Sequence, residues 1–475
     1  MPEPLALDTA RHVAGLQCEL RLWLEARDPS SADPAARAES EAGARARAEL
    51  REIAAELWPD AERDVVFRAR GLEARADFLV REAGGRLGLR AVRAALRPNE
   101  THLDELAFVK FVAAAAEVEL GSTTLAHLDG SFVRGPGKID PRALLRHKDV
   151  SGDVNFLARD LAVRVAAQAR VLAGAEPPVV EPSPHCRRPA PCAFWKRCTR
   201  ARPVDWIGHL PGLRTETHAE LAVAAIARIG DVREDFALAP AQRNARLALA
   251  RGAPVTTADL APALAELGPA PDFLDFEAIV PEIPVFAGTR PFEPVPFQWS
   301  AHLAVGAGAL EHAEYLADGS GDPRRAFAES LCARFGQRSA RIGVYSSFES
   351  DVLAVLARAF PDLGPELERL RARLFDLLPV LRRSVYHPAF LGSFSLKRVA
   401  PVLAPGFRFD DLPGIKDGGA ASRGWLALAR GELRAERGAE VLAELRAYCA
   451  RDSLALAELT RALRALAADP SHSSP

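Results

Sequence analysis

The period of apolar and polar positions changes several times along the chain. Residues 13–24 repeat at helical spacing and predict an amphipathic helix that carries Cys18. Asp28-Pro29-Ser30 breaks it, and an Ala/Arg/Glu-rich helix is predicted over 35–57. Across 65–92 the period shortens to that of strands. The segments 76–80 and 87–92 flank a turn at 81–86 containing Gly84-Gly85, which predicts a hairpin. Helices are predicted over 103–118 and 155–173, then a proline-rich extended linker over 175–184. Further helices are predicted near 217–228, 240–251 and 257–267. From 272 onward strand and helix alternate: strands at 272–280, 295–305, 311–316 and 342–346, helices at 323–335 and 348–359. A helix-rich stretch at 365–377 and one long helix or a pair at 439–467 complete the pattern.

The fold class is therefore α/β, in four parts: a first domain over 1–200, a helical connector over 201–270, a second domain over 271–468 and a disordered tail over 469–475. A length of 475 residues exceeds one ordinary domain. No apolar run reaches membrane-spanning length and no signal-peptide pattern opens the chain, so the expectation is a cytoplasmic protein without a membrane partner. A formal charge of -2 excludes a uniformly basic nucleic-acid coat but leaves room for a local basic groove. Only six lysines stand beside 55 arginines, which reads as compositional bias and not as a binding signal. In that compartment the six cysteines are poor disulfide candidates, so metal or core roles come first.

Candidate chemistry begins at Asp275 and Glu277, two residues apart inside an apolar run. On a strand, positions i and i+2 share a face, so both carboxylates point the same way. Two half-buried anions side by side call for a cation, and oxygen ligands favour magnesium or manganese. Three later features join them: Glu349, delivered by a strand to the start of a helix; Asp376 in a second apolar run; and Tyr448 with Asp452, one helical turn apart. Singly, these residues have ordinary readings as a helix cap or a packing contact. The ordered set points to one centre.

In that order and spacing the chain resembles the DEDD exonucleases of the ribonuclease H-like superfamily, in the subgroup whose last motif is Y-x-x-x-D. It resembles more closely an uncharacterised bacterial family, a domain of unknown function of that superfamily. That likeness extends through Pro294–Ser300, Tyr386-His387-Pro388, Gly392–Lys397 and Asp417–Ser422. The resemblance implies Asp275, Glu277, Glu349 and Asp452 as metal ligands; Asp376 is a further candidate that could compensate at the second motif. It also implies that Tyr448 orients or helps deprotonate the attacking water, and that degradation runs 3′→5′. At the second motif the family usually carries aspartate, and Glu349 moves that carboxylate by one methylene. Phosphodiester hydrolysis needs an activated water, charge neutralisation and a stabilised leaving oxygen, which two metals about 3.5–4 Å apart supply. His387 and Lys397 are candidate phosphate contacts, and each equally suits a structural hydrogen bond.

Cys186, Cys192 and Cys198 follow one another with five residues between each, among Phe194, Trp195 and five basic residues. That spacing is wider than the usual two to four of a zinc knuckle, and Cys18 is the natural fourth ligand. The pattern resembles the iron–sulfur nucleases related to RecB, in which one cysteine precedes a PD-(D/E)xK fold and three follow it. The resemblance implies a 4Fe-4S cluster on Cys18, Cys186, Cys192 and Cys198; zinc and free thiols are the alternatives. Asp77 matches the first acid of the nuclease motif, but Arg90 stands where the second acid belongs. Arginine there removes a metal ligand and is expected to place a cation at the metal's position, leaving an inactive domain useful for binding nucleic acid or for architecture. Cys332 and Cys449 are expected in the core. Together these features predict a metal-dependent exonuclease acting on DNA or RNA. The alternative is a catalytically inactive nucleic-acid-binding or scaffold protein built from two degenerate nuclease folds.

Overall fold

A computed structural model of the chain describes residues 5–306, 308–469 and 471, so most of the expected disordered tail at 469–475 lies outside the described residues. The chain forms two units of mixed α/β structure. One runs to Ala201 and takes in Pro281–Glu293; the other comprises Arg202–Val280 and the chain from Pro294.

The first unit is built on the hairpin Leu72–Arg81 and Leu87–Arg93, whose turn holds Gly84 and Gly85 at φ +85 and +81. A βαβ crossover follows: Leu87–Arg93, the helix Glu100–Ala115, then the parallel strand Leu120–Leu128. Glu62–Ala69 and Leu145–Asp149 extend the sheet. On one face Leu79, Leu89, Ala91 and Leu125 pack against Leu106, Val109 and Val112 of the crossover helix. On the other, Phe78, Val92 and Ala126 meet Leu50 and Ala54 of the helix Pro34–Ala54. Pro281–Glu293 joins this second cluster through Ile283, and Gly288 N–H and the Thr289 carbonyl close two hydrogen bonds with the Arg134 backbone. Those bonds and the buried isoleucine explain why a loop read as part of the second domain packs with the first.

Two helices are shorter than their periodicity predicts. The segment 13–24 breaks at Cys18, whose φ of -165 and ψ of 128 separate Thr9–Gln17 from Glu19–Arg27. Asp160 similarly divides Ser151–Arg159 from Leu161–Ala173.

The second unit centres on the strand Asp272–Ile279, called the acidic strand below. On one side lie the antiparallel Val295–Ala304 and Leu310–Leu316; on the other, the parallel Ile342–Val344 and Leu374–Asp376. The strand Leu374–Asp376 falls where helix was expected; Leu374 and Phe375 alternate between the two faces of the sheet edge. Leu274 and Phe276 point into a core with Phe327, Leu331 and Leu353. The opposite face, with Asp275 and Glu277, lies under one continuous helix, Ala435–Ala468, called the terminal helix. Residues 202–270 fold with this unit, pairing Val255–Thr256 with Val385–Tyr386. Gly392, at φ +77, permits a close approach to the His209 carbonyl, which any β-carbon there would meet at 2.5 Å. Among the described residues no helix is long and apolar enough to cross a membrane.

Candidate metal centre

Three acids lie on the acidic strand, and their surroundings differ. Asp272 is fully buried and forked by the Arg338 guanidinium at 2.5 and 2.8 Å, a satisfied ion pair. Among the described residues no arginine pairs in this way with Asp275 or Glu277. Strand alternation turns both toward the terminal helix, whose Tyr448, Cys449 and Asp452 are buried. One ligand atom each from Asp275, Glu277 and Cys449 lies within 4.8 Å of the others. The Cys449 thiol donates to Asp275 Oδ2 at 3.4 Å.

Glu349 reaches the same region from the next strand. Ile342–Val344 runs parallel to the acidic strand, the Ser346 hydroxyl accepts the Phe348 N–H, and the helix Phe348–Ala359 begins with Glu349 in its first turn. This is where α/β sheets gather sites, at the carboxyl end of parallel strands. Glu349 and Asp452 stand outside the 4.8 Å set but act on it by charge. Burial raises the Asp275 carboxyl well above its ordinary value, and Asp452, Glu277 and Glu349 add to the rise. Burial pushes Glu277 up to about 8, with Asp452 adding and Lys397 opposing. Glu349 is likewise pushed to about 8 by burial, against backbone N–H groups that favour its anion. Asp452 rises through burial. Glu349 Oε2 and Asp452 Oδ1 are both buried without a hydrogen-bond partner.

Lys397, at the start of the helix Leu396–Leu403, supplies the local cation. Its ammonium donates to the Tyr448 hydroxyl and to the Lys416 carbonyl at 2.9 Å, and lies 4.2 Å from the Tyr448 ring centre. The Tyr448 hydroxyl is bonded in turn to Asp452, and burial with three nearby carboxylates holds it as a neutral phenol. Glu277 also borders the start of the helix Gly418–Ala429: its Oε2 lies 3.8 Å from the place of a Gly418 β-carbon. The partial positive charge of a helix N-terminus favours an anion there.

The other expected residues divide. Asp376 ends its strand next to Glu349, whose pKa it raises, but its Oδ1 accepts the Leu378 N–H as a helix cap. His387 is likewise a cap: Nδ1 accepts from Ala389 N–H and the ring packs 6.0 Å from Phe390. Cys449, expected as plain core, belongs to the centre. Its signal in the sequence is adjacency to Tyr448, although only the register of helix on strand places its sulfur beside Asp275.

In the first unit the arginine expected against Asp77 is a different one. Arg90 turns to Glu82 at 2.9 Å and to the Ser122 hydroxyl at 2.9 Å. Arg93 instead fills the space, bonding Asp77 at 2.8 Å and Glu105 at 2.7 Å, while Val92 N–H also bonds Asp77. Phe78 pairs with Arg90 across the hairpin, so strand alternation puts Asp77, Ala91 and Arg93 on the opposite face.

Cys18, Cys186, Cys192 and Cys198 line one cavity. The Gln17 amide bonds the carbonyls of His185, Arg188 and Ala190, and Asp33 N–H bonds the Ala193 carbonyl, so the first helices are tied to the distal cysteine loop. Phe194 packs on Leu24 and Ala32 beneath them. All four thiols are free. Among the described residues no three of these sulfurs fall within 4.8 Å of one another.

Residues 272–395 match the family described as Domain of unknown function (DUF2779), which spans the acidic strand and Glu349 but stops before the terminal helix. No curated protein matches the chain. A solved structure titled "Crystal structure of SSO0001" matches 35% of this chain and 78% of that one, at 13% identity and a TM-score of 0.21, too low to carry an argument.

Proposed function

We propose that the second unit is a metal-dependent exonuclease that hydrolyses phosphodiester bonds of DNA or RNA from the 3′ end. The observation that carries this reading is the pair of buried, unpartnered carboxylate oxygens on Glu349 and Asp452, beside Asp275 and Glu277. Buried carboxylates without partners are costly, and a coordinated cation offsets that cost. The donors are mostly oxygen, which suits magnesium or manganese held by Asp275, Glu277, Glu349 and Asp452. Such ions, when bound, activate water and neutralise phosphate charge. Lys397 and Asp452 fix the Tyr448 hydroxyl between them, which leaves the phenol able to orient a water by hydrogen bond but not to act as a base. Lys397 is also the cation best placed to meet a phosphate.

In this reading the first unit is an inactive nuclease fold that holds nucleic acid, because Arg93 takes the space against Asp77 that a metal would need. Its four thiols would hold an iron–sulfur cluster. All four line one cavity, which suits a shared cluster. The position of Glu349 and Asp452 outside the tightest donor set favours a second reading, a scaffold that binds nucleic acid without turnover.

The deciding experiment uses 5′-labelled single-stranded DNA and RNA with purified full-length protein. Stepwise 3′ shortening in manganese, absent with chelator and in Asp275→Asn, is the expected result. Binding without cleavage establishes the scaffold instead. Equal cleavage by wild type and Asp275→Asn overturns the assignment of the centre.

A further inference from the structure

The terminal helix carries one group that hydrolysis through oxygen-held ions does not require. Cys449 is fully buried, and its sulfur lies 3.4 Å from Asp275 Oδ2 and 3.7 Å from the Asp275 carbonyl oxygen. It completes the Asp275 and Glu277 set within 4.8 Å. Glu349 and Asp452, 4% and 6% exposed, bring two more carboxylate oxygens without partners to the same region. A buried cysteine is ordinarily a small apolar filler. Here, however, it faces acids, and thiolate is the ligand that separates soft cations from hard ones. The spacing is also close to what a small ion needs. A tetrahedral zinc, about 2.3 Å from sulfur and about 2.1 Å from oxygen, has a sulfur–oxygen edge of about 3.6 Å.

We propose that Asp275, Glu277 and Cys449 form a binding site for a thiophilic divalent cation, zinc or its analogue cadmium, and that filling it inhibits the centre. The inhibitory half rests on the exonuclease reading; the binding half does not. On binding, the sulfur–hydrogen bond breaks as the metal–sulfur bond forms, and the thiol proton leaves to solvent together with the protons that Asp275 and Glu277 hold in the metal-free centre. No oxidation is involved. The two carboxylates that would serve magnesium or manganese are then held by an ion that thiolate retains.

Cadmium titration of the full chain, read by cadmium NMR, tests the binding half independently of activity. The four thiols of the first unit, holding the iron–sulfur cluster, contribute no cadmium signal. The proposed site gives a resonance in the mixed sulfur–oxygen range, with a near-ultraviolet thiolate-to-cadmium band. Cys449→Ser and Cys449→Ala should each lose the mixed resonance and keep the visible absorption of the iron–sulfur cluster. Half-inhibition of manganese-supported cleavage should need about ten-fold more zinc or greater in Cys449→Ser, the loss typical of a weakened metal site. Absence of the mixed resonance from wild type, or its survival in both variants, overturns the proposal. A mixed resonance in a protein that never cleaves supports the site and removes the exonuclease reading; cleavage without the resonance does the reverse.

Discussion

Arg93 and Asp77 form an ion pair at 2.8 Å in which each side chain is under a tenth exposed, and Glu105 closes it into a triad at 2.7 Å. Removing one member of a buried pair leaves an unpaired charge, which costs roughly 3–5 kcal/mol. Arg93→Met should therefore lower the stability of the first unit by about that amount in denaturant unfolding. Asp77→Ala, assayed well below its melting temperature, should leave phosphodiester cleavage unchanged. Loss of most turnover in folded Asp77→Ala would move the active site to the first unit.

The acid centre makes stability depend on pH. A carboxyl with a folded-state pKa above its unfolded value holds more protons in the native state, so stability falls as pH rises between the two. For Glu277 and Glu349 that window runs from the ordinary 4.5 to about 8. Metal-free protein should melt at progressively lower temperature across that range and level off above it. Manganese binds the ionised, folded site, so the rise in melting temperature it gives should grow from pH 5 to pH 8, with proton release in calorimetry. A metal-induced rise that is the same at both pH values would count against buried protonated acids.

Much of this centre was legible in local spacing. Asp-x-Glu on a strand fixes a shared face, and Tyr-x-x-x-Asp on a helix fixes a shared stripe, whatever the rest of the chain does. What the sequence did not reveal depends on long-range register. Cys449 has the periodicity of a core position, and only the seating of the terminal helix on the acidic strand brings its sulfur to Asp275. Arg93 is readable in principle, since strand alternation separates it from Arg90, although the nuclease motif places its second acid at position 90. The break at Cys18 left no trace, because the apolar pattern continues through it while the backbone turns extended. The excursion of Pro281–Glu293 was equally hidden, resting on bonds to Arg134, 150 residues before Pro284.

The four thiols of the first unit supply a visible signature. Protein purified without oxygen should be brown, with a broad absorption in the visible, and should carry iron and sulfide instead of zinc. Cys18→Ser should bleach it and destabilise the unit, because Cys18 links the first helices to a loop that begins near Cys186, and closing so long a loop constrains the unfolded chain strongly. A colourless preparation with one zinc per chain would end the iron–sulfur reading.

Tyr448 and Lys397 allow metal binding and water positioning to be separated. The phenol receives the Lys397 ammonium and is bonded to Asp452, so its oxygen is fixed while its proton is held by the carboxylates. Tyr448→Phe removes the hydroxyl but no carboxylate. Manganese should still raise the melting temperature of this variant, while the cleavage rate falls roughly a hundred-fold, the order associated with a misplaced reactant. Lys397→Gln should act differently. It removes the cation that favours the ionised forms of Glu277 and Asp452, so the metal-free centre should keep its protons to higher pH. Proton release on manganese binding at pH 7 should therefore increase in Lys397→Gln, through both Glu277 and Asp452, and by less in Tyr448→Phe, which removes only the hydroxyl's bond to Asp452. Identical release in both variants would mean that Lys397 serves the phenol alone and leaves the acids untouched.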